Sequence, residues 1–174
     1  HHEQMDYYNG AGVDITFMGA GELDQYGNVN STKMGSKCTG AGGFIDITQN
    51  AKKVVFCATF TASGCEYSFK NNKLNIVKEG KIRKMVSNVA QISFNGEIAR
   101  NKGQKVIFVT ERAVFELIKE GVVLIEIAPG IDLHKDVLDN MDFKPIISKE
   151  LKTMDIDLFK EEGHFGLENK MINI

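Results

Sequence analysis

Apolar and polar residues alternate along Val13-Asp14-Ile15-Thr16-Phe17-Met18, and this period of two predicts a β-strand with one covered face. Two later stretches, Val54-Val55-Phe56-Cys57-Ala58-Thr59-Phe60 and Lys105-Val106-Ile107-Phe108-Val109-Thr110, are apolar without alternation. Such runs are expected of strands covered on both faces in a mainly parallel sheet, which makes Cys57 a core residue by expectation. Tyr67 and Phe69 stand opposite Leu74 and Ile76 across Asn71-Asn72, a hairpin signal in which the asparagines take positive φ. Ala90, Ile92 and Phe94 alternate as a further strand, and Asn95 is placed to cap a short helix over 96–101. Residues 113–118 and 122–128 flank Lys119-Glu120-Gly121 as a second hairpin. From Asp132, an N-cap candidate, Leu133, Val137, Leu138 and Met141 make one helical stripe. Phe143 to Ile147, with Pro145 unable to donate to a ladder, reads as a short edge strand, and Met154 to Phe159 as a closing helical turn.

Between the first strand and the first buried run lies Lys37 to Lys53, KCTGAGGFIDITQNAKK. Gly40, Gly42 and Gly43 let the backbone turn tightly and approach a ligand with nothing protruding. Phe44-Ile45-Asp46-Ile47 suits the start of a short helix, so the amides of Gly42, Gly43 and Phe44 would face an oxyanion or a phosphate. The spacing excludes two common glycine fingerprints. A dinucleotide loop needs glycine where Ile45 stands, and no Gly-Lys-Ser/Thr occurs. Thr61, Ala62, Ser63 and Gly64 follow the first buried run, where open α/β sheets place ligands. Gln49 and Lys53 follow the loop closely enough to join such a pocket.

Composition narrows the class. The 174 residues carry 43% hydrophobic side chains and a formal net charge of -2. That suits one ordinary α/β domain and gives no basic face for nucleic acid and no apolar run of membrane-spanning length. A cytoplasmic protein is expected. Cys38, Cys57 and Cys65 lack paired spacing, and His134 and His164 have no ligand-spaced partner, so neither a disulfide frame nor a metal site is expected. His1 and His2 read as a tag remnant, residues 3–159 as the domain and 160–174 as a mobile tail.

The stretch GAGGFIDITQNAKKVVFCATFTASG, with DQYGNVN before it and VTERAVFELIKEGVVLIEIAPGIDLHKDVLDNMDFKPII after it, resembles the C-terminal half of a family I CoA-transferase. The fused, single-chain short-chain acyl-CoA:acetate type is the nearest subgroup. The resemblance runs from about Asp6 to Phe159. It implies a three-layer α/β/α fold with a mainly parallel central sheet, of the kind shared with ribose-phosphate isomerase-like proteins. It also implies coenzyme A as substrate with no tightly bound cofactor, an acyl-CoA and a short-chain carboxylate as reactants, and transfer through a glutamyl-CoA thioester. Gly40, Ala41, Gly42, Gly43 and Phe44 would line the CoA thioester and its oxyanion.

The family's nucleophilic glutamate belongs upstream of the segment matching Asp6 to Gly10, so no catalytic residue is expected in this chain. Glu79-Gly80, Glu120-Gly121 and Glu162-Gly163 read as plain turns, and Glu111-Arg112 as an ion pair at a strand end. The chain is then expected to be inactive alone, to pack against the N-terminal half of the same enzyme, and to form a homo-oligomer. The alternative is a non-catalytic ligand-binding or assembly module with the same fold.

Overall fold

The computed structural model describes residues 2–10 and 12–160. Its centre is a six-stranded sheet of β1 (Ile15–Gly19), β2 (Lys53–Cys57), β3 (Lys105–Val109), β4 (Ala113–Ile118), β5 (Gly121–Ile127) and β6 (Ile146–Thr153), in that spatial order. β1, β2 and β3 pair in parallel, β4 is antiparallel to both neighbours, and β5 and β6 are parallel. The α/β class with a mainly parallel sheet therefore holds.

Helix α1 (His2–Asn9) precedes the sheet. Helix α2 (Phe44–Asn50) connects β1 to β2, and α3 (Gly96–Asn101) leads into β3. Both α2 and α3 lie on one face of the sheet, where Phe56 of β2 packs on Phe44, Phe94 and Phe108 with ring centroids 5.9, 5.1 and 5.4 Å away. The opposite face carries Phe17, Val55 and Ile107 in one row of the ladder. Phe17, on the edge strand, is 66% exposed there.

Several sequence expectations are met in detail. Residues 66–70 and 73–78 form the hairpin, turning through Asn71 at φ 53° and Asn72 at φ 56°. Asn95 caps α3, its side chain accepting from the Ile98 amide at 3.0 Å. The second hairpin is β4–β5.

Other expectations are corrected. The first buried run is a strand only to Cys57, whose side chain is exposed because the chain leaves the sheet there. Ala90 to Phe94 is no strand: Val29 and Phe94 share a single bridge. The amides of Val89 and Ala90 go instead to the carboxylates of Asp24 (3.3 Å) and Glu22 (2.8 Å). Asp132 does cap its helix, accepting from the His134 and Lys135 amides. The stripe beyond it, however, forms a π-turn (Leu133–Val137) and a 3₁₀ turn (Leu138–Asn140). The edge strand begins after Pro145 and is longer than expected, Ile146–Thr153. The closing turn is 3₁₀, Ile156–Phe159, and the expected tail falls almost wholly outside the described residues.

Candidate active-site crevice

The parallel strands end together, with Gly19 of β1 opposite Cys57 of β2 and Cys57 opposite Val109 of β3. Three segments therefore leave the sheet at one edge, carrying residues 20–24, 58–63 and 110–112. A short segment, 82–86, lies across them. Its Ile82–Arg83 pairs antiparallel with Thr61–Ala62, and its Met85–Val86 pairs parallel with Glu22–Asp24. The Leu23 amide donates to the Lys84 carbonyl at 2.8 Å.

The glycine loop belongs to the same edge. A helix joining parallel neighbours runs back along the sheet, which puts the N-terminal end of α2 at the carboxyl ends of the strands. The loop is tied there through the Gly21 amide to the Asn30 carbonyl (2.9 Å), the Asn30 side chain to the Lys33 carbonyl (2.6 Å) and the Thr39 amide to the Thr32 carbonyl (2.8 Å). Gly40 has φ 81° and Gly42 φ 53°, and a Cβ built at either meets no atom within 4 Å. Here glycine answers a left-handed backbone beside open space, rather than close packing against a neighbour. Ala41 and Gly43 are half-buried. Phe44 is buried in the core, and its amide already donates to the Ala41 carbonyl at 3.0 Å. Gly40, Gly42 and Gly43 donate to no described backbone acceptor.

The expected pocket divides. Thr61, Ala62, Ser63 and Gly64 lie at the carboxyl edge; Ser63 (φ 67°) and Gly64 (φ 88°) are exposed. Lys53 opens β2, paired with Ile15 and Lys105, and so sits four residues down the strand, roughly 13 Å from that edge. Gln49 is held at the other end of α2, its side chain donating to Asn9 Oδ1 at 2.6 Å. These two residues are not drawn to the crevice.

Beneath Thr61, Glu79 and the Glu111-Arg112 pair, which look like a plain turn and a simple ion pair in the sequence, join in one charged cluster. Arg112 is fully buried, and its guanidinium grips Glu79 through Nη1–Oε2 (2.6 Å) and Nη2–Oε1 (3.0 Å). Its Nε donates to Glu111 Oε1 at 2.9 Å, and its Nη1 to the Asp136 carbonyl at 3.0 Å. Glu111 also accepts from the Phe60 amide and the Tyr67 hydroxyl, each at 2.9 Å. Thr61 donates its hydroxyl to Glu79 and accepts the Gly80 amide at 3.2 Å. The guanidinium stacks 4.8 Å from the Phe60 ring centroid.

Electrostatics follow from this packing. Burial alone would raise the Glu79 carboxyl, but bonds from Arg112 and Thr61 and the Arg112 charge hold it below its ordinary value. Burial would lower Arg112, and Glu79, Tyr67 and Glu111 reverse that, pushing it up. Burial raises the Tyr67 phenol, so it stays a donor to Glu111. Cys65 donates its thiol to the Thr61 carbonyl at 3.2 Å.

Lys84 differs from these neighbours. It is half-buried in the segment that spans the crevice, and its ammonium feels Glu111 and Cys65 without a hydrogen bond or ion pair to any described residue. Burial is the largest influence on it and lowers its pKa. No sequence signal separates it from Lys78, Lys81 and Arg83 in the same stretch.

A groove of about 280 Å³ lies elsewhere, between α2 and α3, lined by Ile45, Thr48, Phe94, Ile98 and Lys102 among others. It holds no carboxylate, and its hydroxyls and amine are engaged: Thr48 donates to the Phe44 carbonyl at 2.8 Å, Ser93 accepts the Ser31 amide at 3.0 Å, and Lys102 donates to the Gln49 carbonyl at 3.2 Å. It is a packing groove, away from the chemistry. Among the described residues no cluster of ligands could hold a metal ion.

No family model matches the chain. It is 49% identical over 156 residues to acetate CoA-transferase YdiF of Escherichia coli (strain K12), covering 90% of this chain and 29% of that protein. It is 47% identical over 176 residues to caffeate CoA-transferase of Acetobacterium woodii, covering 98% of this chain and 33% of that one. Its structure superposes with a TM-score of 0.89 on E. coli O157:H7 YdiF in a thioester complex with CoA, at 48% identity, covering 91% of this chain and 31% of that one. The chain thus spans about a third of the length of the relatives it matches, and the matched part is C-terminal.

Proposed function

From close homologues that are CoA-transferases, we propose that the chain is the C-terminal portion of an acyl-CoA:carboxylate CoA-transferase acting on a short-chain acyl-CoA and acetate. The observation carrying this reading is the coincidence of the 49% identity with an open glycine loop at the carboxyl edge of the parallel strands.

In this reading a glutamate upstream of the chain attacks the acyl-CoA carbonyl; the C–S bond breaks, and CoA leaves as thiolate from an acyl-glutamyl anhydride. The thiolate then attacks the glutamyl carbonyl, releasing the first carboxylate and leaving a glutamyl-CoA thioester. An acceptor carboxylate runs the two steps in reverse. Each tetrahedral stage places negative charge on a carbonyl oxygen. The amides of Gly40, Gly42 and Gly43 are the donors this chain offers it, while Ala41 and the buried Phe44 shape the loop. Thr61 to Gly64 form the wall. Gln49 and Lys53 stay outside the site.

The N-terminal half of the enzyme or a second copy would cover the β1 margin of the sheet, where Ile15 is 43% and Phe17 66% exposed while Val55 in the same row is already buried. The test is transfer from acetyl-CoA to propionate by the enzyme joined to its upstream part, with peptide mass spectrometry of the glutamyl adduct. The expected result is an adduct upstream of this chain and no turnover by the chain alone. Transfer by the chain alone, or no adduct in the joined enzyme, would overturn the reading.

A further inference from the structure

Lys84 occupies the centre of the crevice by construction. On one side its segment pairs with Thr61–Ala62, which follow β2; on the other it pairs with Glu22–Asp24, which follow β1. Its ammonium feels the charge of Glu111, which follows β3. Glu111 is already occupied by the Phe60 amide, the Tyr67 hydroxyl and Arg112 Nε, so it attracts Lys84 without taking its donors. Of the other basic groups nearby, Arg112 is committed to Glu79 and Glu111 and Arg83 to Asp142 at 2.8 Å, while Lys81, whose amide donates to the Ser63 carbonyl at 3.1 Å, is exposed to solvent where Lys84 is half-buried. A half-buried cation with three unused donors at the mouth of an α/β sheet asks for an anion.

We propose that Lys84 binds the carboxylate of the acceptor acid, a monoanionic short-chain carboxylate, in the crevice between the segments that follow β1 and β2. This rests on the transferase reading for its biological role but not for its chemistry. A single ammonium matches one carboxylate, whereas a phosphate ester is met by several cations or a nest of amides, and the guanidinium beside Lys84 is already taken.

The test is an acetate titration of the 174-residue chain at constant ionic strength, with chloride as balancing anion, followed by the lysine ε-carbon and backbone amide resonances. Wild type, Lys84→Met and Lys84→Arg are compared. The expected result is an acetate-dependent shift of Lys84 and of the Leu23 and Thr61 amides. In Lys84→Met the amide response weakens about tenfold or more in Kd, and Lys84→Arg retains it. Acetate leaving Lys84 unmoved, or acting equally on wild type and Lys84→Met, overturns the proposal. A Lys84 response to inorganic phosphate and not to acetate also overturns it and gives the site to a phosphate. The transferase reading is tested apart from this, by the glutamyl adduct of the enzyme joined to its upstream part. No adduct there with an intact acetate response at Lys84 sinks the transferase reading and leaves the anion site, and an adduct with no acetate response at Lys84 sinks the Lys84 proposal alone.

Discussion

Arg112 neutralises two carboxylates that would otherwise face each other in a half-buried space. Arg112→Met should therefore destabilise the chain by about 3 kcal/mol, because truncating one member of a buried ion pair strands the others; urea unfolding measures it. Glu79 adds a pH signature. Its carboxyl sits below its ordinary value of 4.5, so the stability it contributes is fully present above pH 4.5 and is lost as pH falls through the lowered folded value. Glu79→Gln should accordingly be less stable than wild type at neutral pH, with the gap closing under increasingly acid conditions. A gap that stays constant with pH would contradict the ionised pairing.

At the scale of elements, the glycine loop and the turn leading into the crossing segment respond to alanine in different ways. Gly42→Ala meets no neighbour and only strains a left-handed backbone, costing about 1 kcal/mol, yet it puts a methyl group at the loop surface. Thermal unfolding should show this small loss together with the disappearance of protection by CoA. Gly80→Ala is the opposite case: its Cβ would stand 2.5 Å from the Ala62 carbonyl oxygen and 2.7 Å from Thr61 Oγ1. It should cost about 2 kcal/mol and loosen the Thr61 wall, visible as faster hydrogen exchange at Ala62. The sheet, both hairpins and the Asn95 cap were legible because they rest on local periods and turn residues. The Ala90–Phe94 alternation misled because Glu22 and Asp24 claim the amides a ladder would need, a competition between residues more than 60 positions apart. The tight turns at Gly40 and Gly42 and the helix start at Phe44 were legible from the residues, whereas a ligand role for the loop rested on the family resemblance. Lys84, Glu79 and the distance of Lys53 from the site were not legible, since they depend on which strand ends meet.

For the whole molecule, β1 is the exposed margin of the sheet and shows Ile15 at 43% and Phe17 at 66% exposure. Phe17→Lys should leave the fold intact and reduce concentration-dependent self-association in sedimentation velocity; unchanged association would place the contact elsewhere. The order of strands also has a kinetic meaning. β3, β4 and β5 form a meander in which each pairing closes a turn of a few residues, whereas β1 and β2 must wait for connections spanning α2 and the segment before α3. Short-range closure is fast and long-range closure slow. Folding should thus nucleate in the 105–127 meander, with φ-values highest at Phe115 and Leu124 and near zero at Met18. The loops that would receive substrate join the structure last, and the same loops would be the first to open.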